Sequence, residues 1–238
     1  MSADGWRTTE KSAVGGEVYR CDDMPLLLNF KGYCMNKETA LKTIVNCAKL
    51  YRDNLVNHKI LFIFGGEDSI QYFEAICLPR HYKHLTGVVS PTIKSVDFYK
   101  MCLSGNLPPS AFTLNNDGTT KMKLSVLHQV MNIHKTAKMA GTYNTSKLEL
   151  CTEKVTGTTI ACMGFVRETA NGSYYVPNTV LKEDLRNVVY NPAQRMLAIF
   201  RKPKNIDLYT ECTYLAKNIS LEFILKNEEI RRKIVIKK

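Results

Sequence analysis

Residues 59–78, KILFIFGGEDSIQYFEAICL, are the stretch that decides the fold. Residues 60–64 are mostly β-branched or aromatic and have the length of one strand. The sequence Gly65-Gly66-Glu67-Asp68 is rich in turn-forming residues, and an apolar run of strand length follows at 70–78. The stretch therefore predicts a β-hairpin.

The segment before the hairpin predicts a helix that begins after Asn36. Asn36 is a suitable N-cap, and Glu38 lies in the first turn, where a carboxylate is favoured. Apolar residues then recur at helical spacing on one face: Leu41, Ile44, Val45, Ala48 and Leu55. His58 follows and is interpreted as a helix-end residue rather than a ligand.

Two more helices and a set of strands are predicted after the hairpin. The first helix begins at Ser90-Pro91 or at Ser95 and ends at Gly105, and the second covers about residues 120–138. Strands are predicted at 147–155, 158–168, 173–176, 195–202 and 207–216, a short helix or loop at 180–189, and a helix, alone or with a strand, at 220–238. This order predicts an α+β fold, with an antiparallel sheet mostly in the last third.

The chain divides into three predicted segments. Residues 1–35 are an N-terminal extension or arm, whose apolar patch at 24–30 packs on the domain or binds a partner. Residues 36–216 form the α+β domain, and residues 217–238 form a basic C-terminal segment.

The composition favours a reduced protein of the cytoplasm without a membrane partner. No apolar run approaches the ~18–20 residues of a membrane span, and the N-terminus lacks the layout of a signal peptide. The eight cysteines include no CxxC pair, so a zinc ribbon is not expected. Four of them lie in apolar patterns, where a reduced thiol behaves as a small hydrophobic group: Cys47, Cys77, Cys102 and Cys162.

Positive charge is concentrated in one part of the chain. The net charge is +11, and residues 80–147 carry nine Lys or Arg against two Asp or Glu, whereas residues 1–79 carry nine against ten. The same basic segment holds four of the five histidines. A localised basic field favours a polyanionic partner, most simply RNA or another nucleic acid, although a solubilising surface has the same composition.

The basic segment begins with RHYKHLTG at residues 80–87, directly after the hairpin. We expect this segment to be extended, so that alternate side chains share a face. Tyr82, His84 and Thr86 would then lie together with Arg80, and His81, Lys83 and Leu85 would face the other way. A structural role for His84 at a strand end is the alternative.

The sequence lacks the common motifs of several other enzyme classes. It has no GxxxxGK[ST] phosphate loop, no GxGxxG, no HExxH and no GxSxG. The acids of the basic segment are Asp97 and Asp117, whereas two-metal nucleases need several carboxylates. We therefore expect no metal and no cofactor. A metal-independent route suits RNA, because a base can activate a 2′-hydroxyl to attack the adjacent phosphate while cations stabilise the transition state.

Residues 82–88, YKHLTGV, resemble the F-x-H-L-T-G motif of a nuclease family, the fourth of the phage Barnase–EndoU–colicin–RelE-like series. The similarity continues through DFYKMCLSG at 97–105 and DGTTKMKL at 117–124, and is weaker at 162–165 and 175–184. It covers about residues 38–215. The resemblance implies an RNase-like fold, with helices before a twisted four-stranded antiparallel sheet. It also implies a metal-independent ribonuclease that a mobile element carries as a toxin or effector.

The resemblance assigns the motif histidine to His84 and the motif threonine to Thr86. We add four residues with hydroxyls or cations from the similar stretches or the late strands. The added catalytic candidates are Tyr99, Arg186 and Tyr209, and the added substrate-binding candidate is Lys123. The complete set of candidates for binding substrate is Arg80, Tyr82, Lys83, Lys94, Lys121 and Lys123.

Two other functions are open on the sequence alone. The same basic surface could serve a non-catalytic nucleic-acid-binding module, including a phage inhibitor of host defence. The patch at 24–30 could instead make the chain a protein-interaction scaffold. An immunity protein or a host protein is a further expected partner of a toxin.

Overall fold

The hairpin predicted at residues 59–78 belongs to an eight-stranded sheet. The computed structural model describes residues 35–66, 69–146, 150–169, 172–190 and 192–235. Strands β1 (His58–Gly65) and β2 (Ile70–Ile76) pair antiparallel, with Lys59 opposite Ile76. The predicted hairpin is therefore confirmed, whereas the predicted arm patch at 24–30 lies outside the described residues.

The remaining elements also form an α+β fold, as predicted. The other strands are β3 (Met139–Thr142), β4 (Lys154–Gly157), β5 (Cys162–Arg167), β6 (Tyr175–Leu181), β7 (Gln194–Pro203) and β8 (Glu211–Leu215). The helices are α1 (Lys37–Tyr51), α2 (Tyr82–Thr86), α3 (Ser95–Ser104), α4 (Thr119–Val130), α5 (Ile133–Thr136), α6 (Leu221–Ile224) and α7 (Glu228–Arg231).

The strand pairings close into a ring. The order is β1-β2-β6-β5-β4-β3-β7-β8, and β1 also pairs with β7 along its second edge. Every pairing is antiparallel except that of β2 with β6, a single parallel bridge between Ala75 and Tyr175. The four strands implied by the family resemblance are thus too few, because the hairpin and β7 join the same sheet.

Strand β1 is buried on both faces, which explains its continuous apolar sequence. Ile60, Phe62 and Phe64 belong to the first core, which also contains buried residues of α1, α3 and α4. Leu61 and Ile63 belong to a second core. Because alternate residues of a strand point to opposite faces, the two cores lie on opposite sides of β1.

The first core is built on a helix whose start the sequence identifies. The Asn36 side chain accepts a hydrogen bond from the Thr39 backbone N–H at 2.8 Å, as expected for the predicted N-cap. Ile44, Cys47 and Tyr51 of α1 are fully or almost fully buried in this core.

The second core contains residues of the C-terminal segment. Ile224, Ile230 and Ile234 pack there with Leu61 and Phe200. A bridge between Tyr209 and Ile234 attaches the end of this segment to the residues before β8. The C-terminal segment therefore packs on the face of β1 opposite to the first core.

Two predicted elements differ from the structure for local reasons. The helix predicted at 120–138 is divided into α4 and α5. In a continuous helix the Asn132 backbone N–H would donate to the His128 carbonyl, but here the Asn132 side chain donates to that carbonyl and the backbone N–H donates to Gln129 instead. The segment predicted as a helix or loop at 180–189 begins inside β6, and a short 3₁₀ turn follows at Leu185–Asn187.

The composition-based expectations can be compared with the described residues. In that part of the chain, no helix has both the length and the apolar character needed to cross a membrane. Cys47, Cys77, Cys102 and Cys162 are buried and have free thiols, as predicted.

Candidate active site

Residues 80–87 are helical rather than extended, so the prediction of an extended segment is wrong. A 3₁₀ turn, Pro79–His81, leads into α2, and Gly87 ends the helix in the left-handed conformation with φ of 71°. Tyr82, Leu85 and Thr86 are spaced by three and four positions and are buried. This spacing is helical, whereas the alternation expected for a strand would have exposed Tyr82 and Thr86 with His84.

The buried face of α2 holds two of the predicted site residues in structural contacts. The Tyr82 hydroxyl donates to the Ile44 carbonyl at 2.6 Å, and burial raises the pKa of this phenol well above its ordinary value. The Thr86 hydroxyl donates to the Lys83 carbonyl at 2.6 Å and accepts from the Val88 backbone N–H at 3.4 Å. The expected trio of Tyr82, His84 and Thr86 therefore does not share one surface.

Gly87 brings α4 against the end of α2. A Cβ atom at this position would lie 2.9 Å from Cδ of Lys123, and φ of 71° is strained for any residue with a side chain. The Thr120 hydroxyl donates to the Gly87 carbonyl at 2.5 Å and so connects the two helices. In the His-Leu-Thr-Gly sequence, the histidine faces outward, the leucine is buried and the threonine hydroxyl bonds the backbone of the helix end. The glycine allows α4 to pack closely against α2.

Lys123 reaches the end of α2 through this contact. Only 7% of the residue is exposed, and its ammonium nitrogen donates to the His84 carbonyl at 3.4 Å. Burial lowers the pKa of Lys123, with a weaker opposing effect from Asp117. Among the ion pairs of the described residues, none includes Lys123. A buried cation therefore lies beside the backbone of the outward histidine.

His84 is exposed and chemically suited to accept a proton. Burial of part of its ring is the largest cause that lowers its pKa, and the positive charge of Lys123 lowers that pKa further. A hydrogen bond to the Asn178 backbone has the opposite effect. Because the pKa of the imidazole is below its ordinary value of about 6.5, His84 is mostly neutral near pH 7 and can act as a base.

The neighbouring His81 has a structural role. Its Nδ1 accepts a hydrogen bond from the Leu78 backbone N–H at 3.2 Å, which completes the turn before α2. Burial, followed by the charge of Arg80, lowers the pKa of His81 to about 4. His81 is therefore neutral and already engaged at neutral pH.

The other predicted substrate-binding cations differ in how free they are. Arg80 pairs with Glu168 at 2.8 Å, and the Lys83 ammonium donates to the carbonyls of Ser90 and Ile93. Lys94, just before α3, and Lys121, on α4 near Lys123, are exposed. Lys94 and Lys121 are therefore the exposed cations of the predicted set that take part in no ion pair among the described residues.

Three predicted catalytic candidates do not join His84. Tyr99 lies on the buried side of α2, where its ring packs 5.3 Å from that of Tyr82 and burial raises its pKa. Its hydroxyl has no hydrogen-bond partner among the residues that the structure describes. Arg186 is bonded to Asp184 at 2.6 Å in the turn after β6. Tyr209 belongs to the second core, on the opposite side of β1.

Tyr209 belongs to a buried polar network in that second core. Its hydroxyl donates to the Glu74 carboxylate at 2.9 Å, and the Lys233 ammonium pairs with the other oxygen of Glu74 at 2.7 Å. Burial, followed by the charge of Glu74, raises the pKa of Tyr209 so far that the phenol stays protonated. This network connects β2 with the C-terminal segment.

The Tyr209→Phe variant should separate a structural role from a catalytic one. We expect the free energy of unfolding to fall by about 1–3 kcal/mol, because a buried carboxylate oxygen loses its donor. We expect the ribonuclease activity that the resemblance implies to stay unchanged. Urea unfolding and an RNA-cleavage assay measure the two effects. Tyr72→Phe is the matched control, because that hydroxyl bonds Glu229 at a more exposed place. A folded Tyr209→Phe protein without activity would contradict this assignment.

Sequence reasoning missed two residues that shape the site. Thr120 lies in the DGTTKMKL stretch at 117–124, and its contact with Gly87 depends on how α4 packs. Asn178 follows Pro177 within β6, and its backbone raises the pKa of His84. The only local signal for Asn178 was the proline, since proline in a strand often marks an irregularity.

The candidate site is not rich in metal ligands. Within the described ranges, no group of three or more His, Cys, Asp or Glu residues is placed to hold a metal ion.

Comparison with known proteins identifies the family of the chain. Neither the curated proteins nor the solved structures include a significant match. A family model matches residues 43–218, about three quarters of the chain, and this match includes His84, Lys123 and Asn178. The chain therefore belongs to the family described as phage-Barnase-EndoU-ColicinE5/D-RelE like nuclease 4, and it is a member of a nuclease family whose substrate is nucleic acid.

Proposed function

We propose that the protein is a metal-independent endoribonuclease in which His84 is the general base. The observation that carries this proposal is an exposed imidazole with a lowered pKa, on a residue whose backbone carbonyl accepts a hydrogen bond from a buried lysine that has no ion-pair partner in the described part of the chain. This pair supplies a proton acceptor and a positive charge at one place, as phosphodiester cleavage requires.

The proposed reaction uses the 2′-hydroxyl of RNA as its nucleophile. Neutral His84 takes the proton of the 2′-hydroxyl, and the oxygen attacks the adjacent phosphorus. The bond from phosphorus to the 5′ oxygen breaks, and a 2′,3′-cyclic phosphate and a 5′-hydroxyl form. The ammonium group of Lys123 stabilises the negative charge that develops on the phosphate oxygens. Because His84 is exposed, solvent water can supply the proton that the leaving 5′ oxygen takes up.

The electrostatics of the site support RNA binding in this mode. Lys123 on α4 and the exposed Lys121 and Lys94 present positive charge near α2 and α3, in a segment with few carboxylates. Such a field attracts phosphates and repels a divalent cation. The geometry therefore favours charge stabilisation by lysine over stabilisation by a metal ion.

We also infer a toxin or effector role of phage or mobile-element origin. The family description names phage together with colicin-like and RelE-like nucleases, which supports a nuclease that acts on cellular RNA. The cytoplasm is then the place of action, and an immunity or host protein that covers His84 is the expected partner. Induced synthesis should arrest growth, and the His84→Ala form should not.

The defining experiment incubates the purified protein with an RNA oligonucleotide in EDTA. We expect cleavage to products with a 2′,3′-cyclic phosphate, and no cleavage when the residue that supplies the 2′-hydroxyl is replaced by its 2′-deoxy form. Cleavage that stops in EDTA would contradict metal independence. Cleavage of the deoxy-substituted strand would contradict 2′-hydroxyl attack.

A binding measurement separates the enzyme from the non-catalytic alternative. RNA binding without cleavage, in both the wild type and His84→Ala, would favour a nucleic-acid-binding module instead. In either case affinity should fall as salt rises from ~50 to ~200 mM, because neutralised phosphates release counterions on binding. An affinity independent of salt would contradict both functions.

A further inference from the structure

The hydroxyl of Thr120, in the first turn of α4, makes two hydrogen bonds to the backbone of other segments. It donates to the Gly87 carbonyl at 2.5 Å and accepts from the Asn115 backbone N–H at 2.9 Å. Thr120 is fully buried, and its hydroxyl uses both its proton and a lone pair in these bonds. The side chain therefore connects the end of α2 with the loop before α4.

The loop that Thr120 bonds is also attached to the chain that follows α2. Val89 and Thr113 exchange both of their backbone hydrogen bonds, at 3.0 and 2.8 Å. Gly87 lies two residues before Val89, and Asn115 lies two residues after Thr113. Thr120 therefore closes a small network that holds the exit of α2 against both the loop and α4.

The same face of α4 carries Lys123, because residues three positions apart in a helix are neighbours. Its ammonium donates to the His84 carbonyl at 3.4 Å, which is long for a hydrogen bond, so a small separation of α2 from α4 would break it. The Thr120 bond to Gly87 is much shorter. It is therefore the polar contact that sets how closely Lys123 approaches the end of α2.

The packing at Gly87 shows how little space separates the two helices. A Cβ atom there would lie 2.9 Å from Cδ of Lys123 and 3.4 Å from Cα of Thr120. The stem of Lys123 and the backbone of Thr120 thus both lie against the glycine that ends α2. A change in the Thr120 contact should move Lys123 relative to α2, since both residues belong to one helix.

We propose that Thr120 is a positioning residue of the nuclease site, whose hydroxyl holds α2 against α4 and so keeps the Lys123 ammonium at the backbone of His84. Because Thr120 is buried, it does not reach the substrate and acts through Lys123. This inference rests on the proposed function, because it assigns the means by which the charge that stabilises the transition state is held in place.

The test follows the titration of the His84 imidazole by NMR in protein labelled with ¹⁵N histidine, with His84→Ala used to assign the signal. Burial and the charge of Lys123 lower the pKa of this ring, and the Asn178 backbone raises it. In Thr120→Val we expect the pKa of His84 to rise, as in Lys123→Met but by a smaller amount, because the ammonium group moves away from α2. The turnover number should fall by up to about 100-fold, the loss that a displacement of about 1 Å can cause.

Two variants separate positioning from a general loss of stability. Thr120→Ser keeps the hydroxyl and should keep the wild-type titration and turnover number. Thr156→Val is the matched control, because the buried Thr156 hydroxyl also donates to a backbone carbonyl, that of Met139, at 2.9 Å between β4 and β3. This control should lower the free energy of unfolding and leave the pKa of His84 unchanged.

A double-mutant cycle shows whether Thr120 acts through Lys123. We expect most of the effect of Thr120→Val on the His84 titration to disappear when Lys123 is already replaced by methionine. If Thr120→Val does not fold, Thr120→Ala gives the same comparison, since alanine removes the hydroxyl without placing a methyl group against two polar groups. An unchanged His84 titration in either folded variant, or an equal shift in the Lys123→Met background, would overturn the proposal. A Thr120→Ser protein that behaves like Thr120→Val would also overturn it.

The NMR readout also separates this inference from the proposed function. It needs no RNA and reports on the ring whether or not the protein cleaves a substrate. A His84 titration that depends on Thr120 through Lys123, in a protein without RNase activity, would reject the proposed function and keep the positioning contact. An active enzyme whose His84 titration is the same with and without the Thr120 hydroxyl would do the opposite.

Discussion

Replacing His84 by alanine is expected to reduce RNA cleavage by about 10²–10⁴-fold, the usual contribution of a general base. The side chain lies on the exposed side of α2 and makes no contact that α2 needs to fold, because Tyr82 and Leu85 provide the buried face. The variant should therefore keep the wild-type unfolding temperature. Single-turnover rates on an RNA oligonucleotide and thermal unfolding measure the two quantities.

His128→Ala is the matched control for that loss. His128 is an exposed histidine on α4 within the same basic segment, and its side chain has no assigned role in the site. The control should cleave RNA at the wild-type rate. Equal losses in the two variants would indicate that His84 has no specific role in cleavage, and full activity of His84→Ala would reject His84 as the base.

Replacing Lys123 by methionine is expected to reduce cleavage by about 10²–10³-fold, the effect of removing one electrostatic stabiliser of a transition state. The same change should move the acid limb of the pH–rate profile to higher pH. The sign follows from the charge: the ammonium group disfavours the protonated imidazole and so lowers the pKa of His84, and this pKa rises when the charge is removed. Rates measured between about pH 4 and pH 8 test both expectations.

Stability should respond to the Lys123 change in the opposite direction from activity. The residue is buried, its pKa is lowered by that burial, and it has no ion-pair partner among the described residues, so the charge destabilises the folded state. Methionine has a similar shape without the charge, and we expect an equal or higher free energy of unfolding. Lys121→Met, at an exposed position on the same helix, is the control and should change cleavage and the pH profile much less. A fall in both stability and activity for Lys123→Met would indicate a packing role instead.

The parts of the fold that local patterns predict are those with enough residues to show a period. The strand run at 60–64 and the N-cap Asn36 were identified because strand-forming composition, helical spacing, capping and turn residues agree over many positions. Residues 80–87 are too few to separate a strand from a short helix, and their charges suggested a surface strand. The proline at 79 and the glycine at 87, which bound α2, were the available counter-evidence.

The missing parts of the site depend on contacts between distant residues. His84 could be selected as a candidate from residue type and charge, whereas the neighbours that lower and raise its pKa are Lys123 on α4 and Asn178 on β6. Their placement follows from helix packing and from the strand register, which no local pattern contains. Tyr209 was a reasonable candidate by residue type, and its burial with Glu74 became visible only with the C-terminal segment in place.

The ring of strand pairings also determines when the site can form during synthesis. His58 at the start of β1 pairs with Pro203 at the end of β7, so the ring closes only after nearly the whole matched region has been made. Closing such a long span costs chain entropy before its contacts contribute, and folds with this property form slowly. His84, Lys123 and Asn178 are all synthesised earlier, yet the sheet that supports them is incomplete until β7 has left the ribosome. A nuclease built in this way acquires its folded site late, after nearly the whole matched region has been made.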